Sequence, residues 1–185
     1  MKAIGYKRPS ETLNHDSLVE IDLPTPLALG HDLLIEVSAI SVNPVDTKVR
    51  KSLVPANEFK ILGWDAVGVV KAVGEDVGLF SVGDRVFYAG DISRDGSNAQ
   101  YQLVDERIVG LAPNSLSDAQ AAALPLTTIT AWELLFDRLA VEKVSPVQAA
   151  QPRTKTDKSL LIIGAAGGVG SILVQLAKQL TTLNV

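Results

Sequence analysis

From Met1 to Leu111 the apolar residues come in short runs separated by turn residues, the pattern of many short strands in a small barrel or sandwich. Met1–Tyr6 opens as a strand, and Leu33–Ile40 follows a turn at Gly30, His31 and Asp32. Ala66–Val70 continues through Val73 to Gly74. Val82, Gly83, Asp84 and Arg85 read as a turn, which Val86–Ala89 leaves as a further strand; Gln100–Val104 and Ile108–Leu111 complete the set. Isolated glycines inside such strands mark bulges or corners where a sheet bends.

The spacing changes after Pro113. Ser117 is an N-cap with Gln120 reaching back to it, which predicts a short helix from Asp118 to Leu124, ended by Pro125. Trp132, Leu135, Phe136 and Leu139 share one face of a helix predicted over Thr130–Leu139. From Ser145 to Lys158 the chain is polar and without periodicity, so a surface loop is expected. Ser159–Ile163 reads as a buried strand, the following glycines as a turn, and 168–181 as a helix with Ile172, Leu173, Leu176, Ala177 and Leu180 in one apolar stripe. The expected class is α/β: a strand-rich domain over 1–125, then over 126–185 the first strand and helix of a dinucleotide-binding domain.

Composition narrows the function classes. In 185 residues, 46% apolar and 21% charged describe a globular protein with room for one good core. The net charge is −4 and basic residues are scattered singly, so neither nucleic acid nor an anionic membrane is an expected partner. No apolar run reaches the roughly 20 residues of a membrane span, and Met1–Tyr6 lacks a signal peptide's basic start and long apolar stretch. A small-molecule substrate and a cytoplasmic location are expected. The chain contains no cysteine, which excludes disulfides and thiolate metal sites. His15 and His31 lie in polar turns and read as surface residues, so no metal site is expected.

The turn Ala165, Ala166, Gly167, Gly168, Val169, Gly170 fits a variant of the dinucleotide fingerprint, with Ala165 where the first glycine usually stands. Gly167 lets backbone N–H groups approach a pyrophosphate, Gly170 lets the helix pack closely on the strand, and the helix N-terminus faces the phosphate charge. A triphosphate-binding loop would need lysine after the last glycine, where Ser171 stands. The residue that selects NAD or NADP falls about 20 residues beyond the glycines, so the turn does not itself make that choice.

Four stretches together resemble the zinc-free quinone oxidoreductase branch of the medium-chain dehydrogenase/reductase superfamily. They are Ser41–Lys48, Gly63–Gly68 running on to Gly83–Val86, Ala121–Ala131, and the glycine turn. The resemblance implies a GroES-like β-barrel catalytic domain followed by a Rossmann domain broken off after its first βα unit. Zinc-dependent members of that superfamily carry a cysteine in the first stretch and Gly-His-Glu in the second; here Asn43-Pro44 with Asp46 and Gly63-Trp64-Asp65 stand instead. The implied chemistry is metal-free hydride transfer from NADPH to a quinone or an α,β-unsaturated carbonyl. It assigns Asn43, Asp46 and Lys48 to catalysis, and Thr127, Thr128, Ala165, Gly167, Gly168, Val169 and Gly170 to the cofactor. Asn43-Pro44 is also a natural turn pair, Asp46 and Lys48 could be solvated loop charges, and Thr127 and Thr128 could cap the next helix. Trp64 and Trp132 read as packing residues. A βα unit alone leaves strand edges and an apolar face open, so association between copies is expected. Two alternatives stand beside the reductase: a GroES-like binding or structural module without catalysis, and a reductase of acyl-thioester enones.

Overall fold

In the computed structural model, which describes residues 1–12, 14, 15, 17–144 and 157–185, the run after Gly30 forms an interior strand of the larger of two sheets. The described residues divide into two units, Met1–Pro125 and Leu126–Val185.

The first unit contains β1 (Lys2–Tyr6), β2 (Val19–Asp22), β3 (Asp32–Ser41), β4 (Lys60–Ile61), β5 (Asp65–Val73), β6 (Arg85–Ala89), β7 (Tyr101–Asp105) and β8 (Val109–Leu111). A five-stranded antiparallel sheet runs β7-β3-β5-β6-β8, and a three-stranded one β2-β1-β4. Leu33, Ile35, Ala66, Val70, Val86, Tyr88 and Val104 form the main core, with Val77 and Phe80 packed against it. Val67 points to the opposite face, where it meets Ala121 and Ala122 of α2 (Asp118–Ala122). That helix carries the expected reciprocal cap between Ser117 and Gln120. Arg85 fixes it further, its Nε donating to Asp118 Oδ1 at 2.8 Å and its Nη1 to the Pro113 carbonyl.

The expected GroES-like strand domain is present as two sheets, both open. The paired residues of the β3–β7 ladder end at Glu36–Tyr101; Gln100 O still accepts the Val37 N–H of β3, and residues 98–100 also bond β1. Ile4 N–H donates to Asn98 O, Gln100 N–H to Lys2 O, and one bridge joins Ala3 to Ala99. His31 is exposed, as expected of a surface residue, and is also paired: its Nδ1 lies 2.8 Å from Glu106 Oε1. Glu106 is itself buried, and its other oxygen accepts the N–H groups of Gly78 and Leu79. These bonds hold its carboxyl below the usual range, the Leu79 N–H acting most and His31 next. His15 is exposed.

The second unit is built on α3 (Pro125–Trp132), a π-helical continuation over Glu133–Arg138, and α4 (Gly168–Leu180). Pro125 both ends the preceding helix and starts α3, a position that needs no N–H donor. Ala131, Leu135, Leu173 and Ala177 form the core, with Leu160, Ile162 and Leu176 against it. The expected strand over Ser159–Ile163 is reduced to a single parallel bridge, Ser159 to Asn184. Leu160 and Ile162 still turn inward, but Leu161 and Ile163 are 85% and 90% exposed, because a buried strand needs hydrogen-bonded neighbours on its flanks. The loop expected over 145–158 lies largely outside the described residues.

The π-helical segment closes at Ala140, whose φ of 48° is left-handed, and which is exposed. A Cβ in that conformation costs about 1 kcal/mol that glycine does not incur. Ala140→Gly is therefore expected to stabilise the protein by about that amount, since no packing is lost. An unchanged or lowered midpoint in urea unfolding would contradict this.

Candidate functional site

Asn43, expected in a turn, is the N-cap of α1 (Pro44–Ser52), a helix that places Asp46 in its first turn. Pro44 occupies N1 and the Asp46 carboxylate reaches back, its Oδ2 accepting the Asn43 N–H at 2.8 Å. Asp46 N–H donates to Asn43 O at 3.0 Å. Both residues are buried. Asp65, at the start of β5, completes the group: the Asn43 amide nitrogen donates to its Oδ2 at 2.8 Å, and Asp65 has no solvent exposure. The Gly63-Trp64-Asp65 stretch is therefore bonded directly to the Asn43-Pro44 stretch. Trp64 is buried, in keeping with a packing role.

Lys48 is not part of this group; it stands on the exposed side of α1. Asp65 was missed as a site residue because it sits inside an otherwise apolar run. The available signal was its charge: an acidic residue in a buried strand requires a partner. The α1 helix was missed although Asn43, Pro44 and Asp46 occupy N-cap, N1 and N3, a recognisable start pattern.

Burial pushes the Asp46 carboxyl up, against the opposing pull of the Asn43 and Gly63 backbone. Its Oδ1 is buried without a hydrogen-bond partner. A raised carboxyl favours the fold while protonated, so its contribution is full below the unfolded pKa and is lost as pH rises through the folded one. Asp46→Asn keeps an acceptor for Asn43 and removes the charge. Its stability relative to the wild type is expected to increase from acid to neutral pH and then level off. Asp46→Ala, which also removes the cap, should lie about 1 kcal/mol below Asp46→Asn at every pH. Urea unfolding of the three proteins from pH 3 to 8 tests both; an Asp46→Asn difference independent of pH would refute the first.

In the second unit, the glycine turn leads directly into α4. Ala165, Gly167 and Gly168 are exposed, Val169 is half-buried and Gly170 is buried. Gly167 N–H donates to Gly164 O, and Gly164 has a left-handed φ of 74°. A Cβ on Gly170 would collide with Gly164 O and lie 2.8 Å from Ala165 Cα. A Cβ on Gly168 would lie 3.1 Å from the Thr127 methyl, so α3 borders the turn at Thr127. Thr127 and Thr128 lie within α3, not at its cap. Trp132 is partly exposed, stacked edge-on with Phe136 and beneath the Lys143 ammonium. The N–H groups of a helix's first turn have no intrahelical acceptor, so α4 offers donors and a positive dipole end to an anion. The open turn fits a dinucleotide phosphate.

Residues 29–118 match the alcohol dehydrogenase GroES-like domain. The chain thus carries this GroES-like domain, and over nearly its whole length it is similar to zinc-type alcohol dehydrogenase-like proteins of the medium-chain dehydrogenase/reductase superfamily. A zinc-type alcohol dehydrogenase-like protein of Staphylococcus epidermidis is 46% identical over 96% of this chain and 51% of its own. A candidate zinc-dependent alcohol dehydrogenase from Rhizobium etli CFN 42 superposes with a TM-score of 0.86 at 53% identity, over 99% of this chain and 51% of that one. The quinone oxidoreductase of Coxiella burnetii does so at 0.77 and 30% identity, over 97% and 53%. A mycobacterial protein complexed with NADPH gives 0.73 at 30%, over 96% and 49%. The chain thus spans about half the length of the curated relatives it matches.

The zinc in the relatives' names does not fit these residues. The Asn43 group offers an amide and two carboxylates already bonded within the protein, with neither cysteine nor histidine. Among the described residues no three His, Cys, Asp or Glu side chains converge as a metal site, and no helix is long and apolar enough to cross a membrane.

Proposed function

We propose that the protein is an NADPH-dependent oxidoreductase that reduces quinones or α,β-unsaturated carbonyls by hydride transfer without a metal ion, working in the cytoplasm. The observation that carries this is the buried Asn43, Asp46 and Asp65 group, whose two carboxylates are bonded to Asn43 instead of converging with a third ligand as a zinc site requires. Without a Lewis acid, hydride loss from a plain alcohol is hard to assist, whereas an electrophilic enone or quinone needs only stabilisation of the negative charge that develops on oxygen.

When bound, NADPH supplies the hydride. Gly167, Gly168, Val169 and Gly170 would hold its pyrophosphate at the α4 N-terminus, with Ala165 in the turn and Thr127 and Thr128 on the bordering helix. Asn43 donates an amide proton to the substrate oxygen. Asp46 holds Asn43 at the helix start, and Lys48 contributes positive charge on the exposed side of α1. Acyl-thioester enones belong to the same electrophile class and are a second substrate arm.

The test is titration with NADPH and NADH, followed by Trp64 and Trp132 fluorescence, and then NADPH oxidation in the presence of a quinone, an enone and an enoyl thioester. Saturable NADPH binding with turnover of one acceptor is expected. Absence of binding would overturn the proposal in favour of a non-catalytic GroES-like module.

A further inference from the structure

Asp65 is the most completely buried ionisable group bonded to Asn43, and the hydride-transfer chemistry does not itself need it. Its backbone is held on both sides, paired with Ser41 of β3 and Ala89 of β6, at the start of an interior strand. The Asn43 amide nitrogen, not its oxygen, faces Asp65 and donates to its Oδ2 at 2.8 Å. At the same time Asp46 Oδ2 holds the Asn43 backbone N–H. The two carboxylates thus fix the two ends of one residue.

The amide nitrogen carries two protons. One is taken by Asp65 at 2.8 Å; the other reaches the Ser41 carbonyl only at 3.4 Å, a length at which the bond is weak. That second proton is the one a ligand oxygen can claim at little cost.

We propose that Asp65 is a positioning residue: it holds the Asn43 amide nitrogen in one orientation, so that the second amide proton is presented to the oxygen on which charge develops. An amide free to flip would spend part of its time with its own oxygen toward that charge, repelling it. This rests on Asn43 contacting substrate as proposed above.

Asp65→Asn is the informative change, because it keeps size and hydrogen-bonding capacity. An asparagine at 65 can both donate and accept, so it no longer distinguishes the two faces of the Asn43 amide. The experiment compares wild type, Asp65→Asn, Asn43→Ala and the double variant, with NADPH and 1,4-benzoquinone as probes. Loss of one oxyanion donor in Asn43→Ala is expected to lower kcat on the order of 100-fold. Asp65→Asn should lower kcat on the order of tenfold with the quinone KM little changed, as for an interaction made in the transition state. In the Asn43→Ala background Asp65→Asn should add nothing.

A second readout does not depend on turnover. The two Asn43 side-chain amide protons should give widely separated NMR signals in the wild type, the one bonded to carboxylate shifted downfield. Asp65→Asn should bring them together while the thermal midpoint stays close to wild type. Equal kcat losses from Asp65→Asn in both backgrounds would mean a structural role and overturn the proposal. So would an unchanged amide splitting. If Asn43→Ala itself leaves kcat intact, the substrate-contact reading fails, whatever the splitting, and the positioning role falls with it.

Discussion

Replacing Gly170 by alanine is expected to destabilise the second unit by about 2 kcal/mol and to abolish measurable NADPH binding. The added Cβ would collide with Gly164 O and sit 2.8 Å from Ala165 Cα. Both are backbone atoms, so no side chain can rotate away; either the turn opens or α4 shifts. Each response displaces the N–H groups on which the proposed phosphate site depends. Gly167→Ala separates the two effects. Its Cβ would lie 3.3 Å from Gly164 O, a contact that small adjustments absorb, yet it stands on the exposed rim of the turn. It should therefore weaken binding with little loss of stability. Thermal unfolding and fluorescence titration of both variants decide the matter: Gly170→Ala behaving like wild type in both would remove the case for this turn.

The second large effect is expected at Gly63, where alanine should cost about 3 kcal/mol. Its φ of 105° is left-handed territory that a side chain resists in any surroundings. Its Cβ would also collide with Ser97 Oγ and approach Asn98 N to 2.9 Å. Because the Gly63 backbone helps hold down the Asp46 carboxyl, and Asp65 lies two residues on, the strain should reach the Asn43 group. Adding Ser97→Ala removes the hydroxyl and should recover part of the loss, with the φ strain and the Asn98 contact remaining. Urea unfolding of the single and double variants measures this; a loss below about 1 kcal/mol would show that the turn yields cheaply.

Much of the local structure was legible because its causes are local. The β3 and β5 runs, the Ser117–Gln120 cap and the α4 stripe all express a periodicity or a cap within a few residues. Asn43 and Asp46 could be nominated for the same reason, although their helix was misread as a loop. What escaped depended on partners distant in sequence. Asp65 becomes part of the group only because β5 lies beside β3, 22 residues from Asn43 along the chain. His31 is exposed, as its polar turn suggests, but its pairing with Glu106, 75 residues away, is invisible in the local sequence.

The residues at 159–163 make the division clearest. Their sequence alone determines an apolar run leading into a glycine turn and an amphipathic helix, but that Leu160 and Ile162 face inward while Leu161 and Ile163 are exposed is decided by what packs beside them. Whether that run is a strand is decided by tertiary structure, since ladder hydrogen bonds belong to a pair of segments and only Asn184 answers here. The same holds for the open sheets: strand propensity specifies each strand, but how the two sheets are joined depends on residues 98–100, which bond β1 while Gln100 also bonds Val37 of β3. Periodicity, caps and glycine turns are properties of a few neighbouring residues; pairing, burial of charge and the orientation of the Asn43 amide are properties of contacts that exist only once the chain has folded.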